Sequence, residues 1–181
     1  MLGNHSCPER LADYAVPRHL AEHTMPLTAL LEQYLAGPPT LRNAVKGMTR
    51  DQLKARPVAG RWSTIEVIAH LADFEPIFAE RMMRTISHER PLLLTADENL
   101  FASTLNYLDR DVEEELSIIE WTRKKMARIL RGLKPDTANR VGVHAFKGLV
   151  SLEAQLTSAV NHIPHHVPFI EEKRKALGIA G

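Results

Sequence analysis

The chain has 181 residues, 44% of them hydrophobic, with 23 Lys and Arg against 22 Asp and Glu. This length fits one domain that needs no disulfide or structural metal to fold, and the net charge of +1 lacks the basic footprint of a nucleic-acid-binding protein. No window reaches the length of a membrane span, and the N-terminus lacks the apolar core of a secretory signal. We therefore expect a cytoplasmic protein that binds neither nucleic acid nor membrane.

The first part of the chain divides into an extension and a helix. Residues 1–24 show no sustained periodicity, so we interpret them as an irregular extension ahead of a domain at residues 25–181. From Leu27, apolar residues recur every three or four positions and predict a helix. The sequence Gly37-Pro38-Pro39 should end this helix. Short helical stretches are expected around residues 41–48 and 51–55.

The start of the second long helix has the clearest local signal. Ser63 followed by Glu66 fits a capping box, in which the serine oxygen and the glutamate carboxylate each accept from a backbone N–H of the other residue. The helix should begin there and continue to about Ile86, with an apolar face that includes Val67 and Leu71.

The second half of the chain predicts two more long helices. One should extend from about Thr104 to Leu133 and carry a Glu120–Lys124 pair at i,i+4 spacing. Residues 134–148 predict a loop with some extended backbone at 141–143, after which Ser151 should cap a helix that ends near residue 177. Four long helices without a convincing strand pattern predict an all-α four-helix bundle.

Three histidines form a candidate metal site. His162 and His166 are four residues apart at the edge of the apolar stripe of the fourth helix, so one metal ion can bind both, whereas His165 points away. His70, beside the apolar face of the second helix, is the best third ligand. Three imidazoles would leave open positions for water or substrate. The alternative is that these histidines are hydrogen-bonded packing residues.

The catalytic residues are unknown from the sequence, and two residues are candidates. Glu75 falls in the apolar arc of the second helix, where burial can raise the pKa of a general base. Glu75 lies about 7.5 Å along the helix from His70, too far for the two side chains to share one metal ion easily. An ion pair with an arginine of a neighbouring helix is therefore the preferred role. Kinks at Pro164 and Pro168 could bring His165 into the site in place of a neighbour.

Two longer patterns resemble a known family. The first comprises Arg61-Trp62-Ser63, Glu66-Val67, His70-Leu71, Asp73, Glu75 and Arg81. The second comprises Arg140, Gly142, His144, Gly148, Val150-Ser151-Leu152, His162 and His165-His166. Both are similar to the signatures of the DinB/YfiT-like metalloenzymes, over roughly residues 25–175. The resemblance implies an up-down-down-up four-helix bundle, often homodimeric, with Zn²⁺ or Ni²⁺ bound by His70, His162 and His166.

The resemblance also narrows the function to two classes. The first is a metal-dependent enzyme for a small molecule, either a hydrolase or a transferase of a low-molecular-weight thiol. Cys7 is the single cysteine and lies in the N-terminal stretch, so the thiol would be a bound small molecule. The second class is a metal-binding or stress-related protein without turnover.

Overall fold

The computed structural model of the chain describes residues 27–179, and helices dominate it. The predicted extension at residues 1–24, with Cys7, lies outside the described residues. The helices are α1 (Leu27–Val45), α2 (Arg50–Lys54), α3 (Thr64–Ser87), α4 (Glu98–Thr104), α5 (Val112–Arg131) and α6 (Leu152–Ala176). The strands are β1 (Leu92–Leu93), β2 (Val141–His144) and β3 (Gly148–Ser151).

The four long helices α1, α3, α5 and α6 form the predicted bundle. Helices α1 and α3 each pack against both α5 and α6. One core cluster joins the beginnings of α1 and α6 to the ends of α3 and α5, and a second cluster joins the opposite ends. Helices α1 and α6 are therefore parallel, and α3 and α5 run the other way. The up-down-down-up order is confirmed.

The predicted end of the first helix is wrong. Helix α1 continues through Gly37, Pro38 and Pro39 to Val45. Pro38 has no N–H to donate to the Tyr34 carbonyl four residues earlier, a loss that normally weakens a helix. Here the Arg123 guanidinium donates to that carbonyl instead, at 2.8 Å. Gly37 is needed at this point because a Cβ there would collide with the same guanidinium.

The third helix also begins later than predicted. Helix α4 ends at Thr104, Asn106 adopts a left-handed conformation (φ 51°), and a short 3₁₀ turn covers Tyr107–Asp109. The Asp111 side chain then accepts from the backbone N–H groups of Glu113 and Glu114 and begins α5 at Val112. Aspartate is a strong N-cap residue, and this cap starts α5 eight residues after the predicted start at Thr104.

Three short strands add a small sheet that the sequence only hinted at. Strands β2 and β3 form an antiparallel hairpin, and β1 pairs in parallel with β2. Gly142 allows Leu93 of β1 to approach, since a Cβ there would lie 2.8 Å from the leucine side chain. Extended backbone at 141–143 is confirmed, but the partner strands were not predicted. No helix among residues 27–179 has the length and apolar character needed to cross a membrane.

Candidate metal centre

The helices that carry the candidate ligands begin at well-formed caps. Helix α3 has the predicted capping box: the Ser63 oxygen accepts from the Glu66 amide, and Glu66 accepts from the Ser63 amide at 2.7 Å. Arg56 forms an ion pair with the same carboxylate. In α6 the Ser151 oxygen accepts from the Ala154 amide, as predicted. The two helices pack side by side, which fixes the backbone positions from which the histidines project.

His70, His162 and His166 come together between these two helices, and we call them the histidine centre. Each offers one ring nitrogen, and the three nitrogens lie within 4.8 Å of one another. Nε2 of His70 is 3.0 Å from Nε2 of His162. Zinc–nitrogen bonds of about 2.0–2.1 Å place two ligand atoms about 3.3 Å apart in a tetrahedral site. The spacing of the nitrogens therefore suits a shared divalent ion.

The electrostatics of the histidine centre favour metal binding. Burial, together with the neighbouring imidazoles, lowers the pKa of His70 to about 3 and that of His166 to about 4. The same causes lower the pKa of His162 to about 2. The three rings are therefore neutral at pH 7, and neutral imidazole is the form that binds metals. The Nδ1 atoms of His70 and His162 are buried without a hydrogen-bond partner among residues 27–179.

Aromatic rings surround the histidine centre, and a cleft opens beside it. The centre of the His70 ring lies 5.4 Å from the ring centre of Trp62 and 4.5 Å from that of Phe74. The ring centres of Phe78 and His162 are 5.2 Å apart. The cleft has a volume of about 210 Å³ and is lined in part by His166 and Glu98. Oε2 of Glu98, at the start of α4, lies 3.9 Å from Nε2 of His70. A small molecule in this cleft would reach both the imidazoles and a carboxylate.

Glu75 belongs to a different buried cluster, which we call the arginine network. Its Oε2 accepts from Nε and Nη2 of Arg123, at 2.9 and 2.8 Å, and its Oε1 accepts from the Tyr34 hydroxyl at 2.6 Å. Arg123 also donates to the Tyr34 and Ala159 carbonyls. Burial raises the pKa of Glu75, but both of its oxygens are occupied and the residue is 1% exposed. Glu75 thus forms the ion pair that the sequence favoured over a general-base role.

His165 stays outside the histidine centre. It is exposed on α6, with its ring 5.0 Å from that of His166 and 5.5 Å from that of Phe169. Helix α6 is continuous from Leu152 to Ala176 despite Pro164 and Pro168, and both prolines lie on its exposed side. The substitution of His165 for a neighbour, which the kinks had suggested, does not occur in this arrangement.

Sequence reasoning missed three residues of this region. Arg123 occupies a core position of α5, in step with Leu116, Ile119, Met126 and Leu130, so a charged residue within an apolar repeat was the available signal. Lys173, in the wall of the cleft, is buried as well. It falls seven residues after His166 and three after buried Ile170, so it is also a charged residue within an apolar repeat. Glu98 had none, because it reaches the centre through the placement of α4.

Comparison with known proteins identifies relatives over most of the chain. A family model described as the DinB superfamily matches residues 33–170. A protein of Oceanobacillus iheyensis, OB0782, is 31% identical over 140 residues, which are 76% of this chain and 81% of the relative. YfiT of Bacillus subtilis is 27% identical over 142 residues, covering 78% and 80% of the two chains. Both relatives are named provisionally as metal-dependent hydrolases.

Solved structures share the fold. The structure of Bacillus subtilis YfiT, described as an unusual four-helix bundle, matches with a TM-score of 0.82 at 24% identity, covering 88% of this chain and 93% of that one. A mycothiol-dependent maleylpyruvate isomerase matches with a TM-score of 0.64 at 14% identity, covering 80% of this chain and 60% of the isomerase. These likenesses support the bundle topology derived above from the core clusters.

Proposed function

The chain belongs to the DinB superfamily, and on that premise we propose that it is a divalent-metal-dependent enzyme acting on a small molecule. The observation that carries the proposal is the convergence of three neutral imidazoles, with nitrogens within 4.8 Å of one another, beside an open cleft. His70, His162 and His166 would hold the ion. A bound divalent ion lowers the pKa of water or of a thiol and so supplies hydroxide or thiolate at neutral pH.

The residues around the histidine centre have separate tasks in this proposal. Trp62, Phe74 and Phe78 pack against the imidazoles and limit the access of water. The Glu98 carboxylate, 55% exposed at the cleft, is placed to accept a proton from the attacking water or thiol. Replacing Glu98 by Gln removes that acceptor with little change in shape. We expect turnover to fall by roughly 10²-fold or more while metal content stays the same.

Two reactions fit this centre. The names of the relatives favour hydrolysis. The family resemblance, and the fold shared with a mycothiol-dependent isomerase, favour transfer of a low-molecular-weight thiol. In a transfer, the thiolate sulfur bonds to an electrophilic carbon and the leaving group departs with its electron pair. The family resemblance also supports two narrower proposals, that the metal is Zn²⁺ or Ni²⁺ and that the chain is a homodimer. We keep the cytoplasm as the proposed location, on the sequence pattern alone.

Metal content tests the proposal most directly. Protein purified without an affinity tag should contain stoichiometric metal, and His70→Ala, His162→Ala and His166→Ala should each lose it. His165→Ala is the matched control, since it removes an exposed imidazole beside His166 and should leave metal content unchanged. Stoichiometric metal that survives all three ligand substitutions would contradict the assignment.

Activity separates the enzyme from a binding protein. The loaded protein should be assayed with activated esters for hydrolysis, and with a panel of thiols plus 1-chloro-2,4-dinitrobenzene for transfer. Turnover that disappears on chelation and returns with metal supports the enzyme. A protein that binds metal stoichiometrically but turns over no substrate in either assay would favour the metal-binding alternative. Light scattering on a sizing column tests the homodimer.

A further inference from the structure

A buried lysine lies in the wall of the cleft, without an ion-pair partner in the described part of the chain. Lys173 is 2% exposed, and its Nζ donates to the Phe169 carbonyl of its own helix at 2.8 Å. Lysine carries three donors, and a buried ammonium is costly unless it is paired. Among residues 27–179, Lys173 forms no ion pair within 4.0 Å, although Glu66 and Glu172 lie within electrostatic range. The described residues therefore compensate this charge incompletely.

A second cation lines the same cleft. The Arg61 guanidinium lies over the Phe169 ring, 5.5 Å from its centre, and forms no ion pair among the described residues. Burial lowers the pKa of the Lys173 amine most, Glu172 acts in the opposite direction, and the Arg61 charge adds a smaller lowering effect. Two cations that converge on one cavity repel each other unless an anion lies between them.

Within residues 27–179, three carboxylates lie near these cations, and none forms an ion pair with Lys173 within 4.0 Å; Glu172 is exposed to solvent, and the other two have partners or lie toward the metal ligands. The Glu66 carboxylate is taken by Arg56 and by the Ser63 amide of the capping box. Glu98 lines the cleft, but its Oε2 lies 3.9 Å from His70 Nε2, at the histidine centre. The cleft therefore has a cationic part, formed by Arg61 and Lys173, and a part formed by imidazoles and a carboxylate.

We propose that Arg61 and Lys173 form a subsite for the anionic group of a small-molecule substrate, whose reacting part then faces the histidine centre. The placement of the reacting part at the histidine centre rests on the proposed function. The substrate class is a compact molecule with a carboxylate or similar anionic group at one end. A cavity of about 210 Å³ is below the usual size of pockets for drug-sized ligands, which fits a compact substrate. The buried Lys173 ammonium and the exposed Arg61 guanidinium can bind such a group through charge-assisted hydrogen bonds.

One test uses the metal-loaded protein and two thiols of the same chain length. In calorimetric titrations of the Zn²⁺-loaded protein, 3-mercaptopropionate should bind at least tenfold more tightly than 3-mercapto-1-propanol, which lacks the charge. Lys173→Met keeps the apolar stem and should reduce this ratio to within twofold of one, as should Arg61→Gln. Arg61→Lys keeps the charge and should retain much of the preference. Lys175→Met removes an exposed lysine of the same helix and should retain all of it.

A second test needs no metal. Glutarate should raise the melting temperature of the metal-free protein, whereas glutaramide, its uncharged analogue, should not. Lys173→Met and Arg61→Gln should abolish the glutarate effect, with helicity by circular dichroism unchanged. Glutarate stabilisation without thiol binding would leave the anion subsite standing and overturn the thiol-transfer version of the proposed function, while loss of metal from the purified protein would overturn the metal-dependent function itself. Equal effects of glutarate and glutaramide, or an unchanged thiol preference in both variants, would overturn the subsite.

Discussion

The histidine centre lies between α3 and α6, and the arginine network joins α5 to the other three long helices. Both are buried polar clusters of the bundle, but they differ in how completely the protein satisfies their hydrogen-bonding groups. Arg123 uses four of its five N–H groups, one from Nε, one from Nη1 and two from Nη2, and both Glu75 oxygens accept hydrogen bonds. In the histidine centre two Nδ1 atoms lack partners among residues 27–179 and a cleft opens alongside. The arginine network is therefore complete as folded. In the histidine centre the Nε2 atoms of His70 and His162 face each other at 3.0 Å beside the cleft, an arrangement that suits a ligand shared by both.

The arginine network also explains the organisation of the bundle. Arg123 lies between the two apolar core clusters, where it joins α5 to α3 through Glu75, to α1 through the Tyr34 carbonyl and to α6 through the Ala159 carbonyl. One side chain therefore contacts the other three long helices. Since apolar contacts are not directional, a shared hydrogen-bond network of this kind can set the relative heights of helices that pack through smooth faces.

The largest effect should come from breaking the arginine network. Arg123→Met leaves Glu75 as an unpaired buried charge and the Tyr34 carbonyl without a donor. We expect a loss of about 3–5 kcal/mol in the free energy of unfolding, measured by urea denaturation. Lys125→Met, an exposed change on the same helix, should cost less than about 0.5 kcal/mol.

A double variant separates the charge from the shape. Arg123→Met with Glu75→Gln removes both charges, so it should recover part of the stability lost in Arg123→Met alone. Arg123→Met should still bind metal in its folded fraction, because Arg123 forms no hydrogen bond to the histidine centre. Suppose instead that the losses in free energy of unfolding from Arg123→Met and Glu75→Gln simply add in the double variant. The two side chains would then not be coupled as described.

The histidine centre should respond to metal instead. With free Zn²⁺ at about 100 times its Kd, the free energy of unfolding should rise by about 2.7 kcal/mol, because the ion binds the folded state in preference to the unfolded one. His162→Ala should abolish this gain, and His165→Ala should keep it. An equal gain in wild type and His162→Ala would place the stabilising ion elsewhere.

The metal-free protein should also lose stability in mild acid. The pKa values of His70, His162 and His166 are about 3, 2 and 4 in the folded state, below the ordinary value of 6.5, so the unfolded chain takes up protons first. The contribution of these three histidines to the free energy of unfolding is present above about pH 6.5, the pKa of the unfolded chain's histidines, and it decreases as the pH falls through that value. Between pH 7 and pH 6 the loss should be about 2 kcal/mol in total for the three rings. A flat profile across this interval would contradict the neutral, buried state of the rings.

The sequence predicted these two regions unequally, for physical reasons. The histidines and the caps at Ser63 and Ser151 are local patterns, in which spacing along one helix determines which groups meet. The continuation of α1 through Pro38 depends on Arg123, 85 residues further along the chain, and no local rule anticipates a donor from another helix. The same holds for Glu98, whose approach to His70 depends on the placement of α4.

The smallest effect tests whether a local cap positions the histidine centre. Ser63→Ala removes the oxygen that accepts from the Glu66 amide and should cost about 1 kcal/mol in the free energy of unfolding. Metal affinity should change less than twofold, because His70 lies two turns beyond the cap and buried side chains such as Ile68 and Leu71 hold that part of α3. A tenfold loss of metal affinity would instead mean that the first turn of α3 helps to orient His70. The capping box would then belong to the site as well as to the fold.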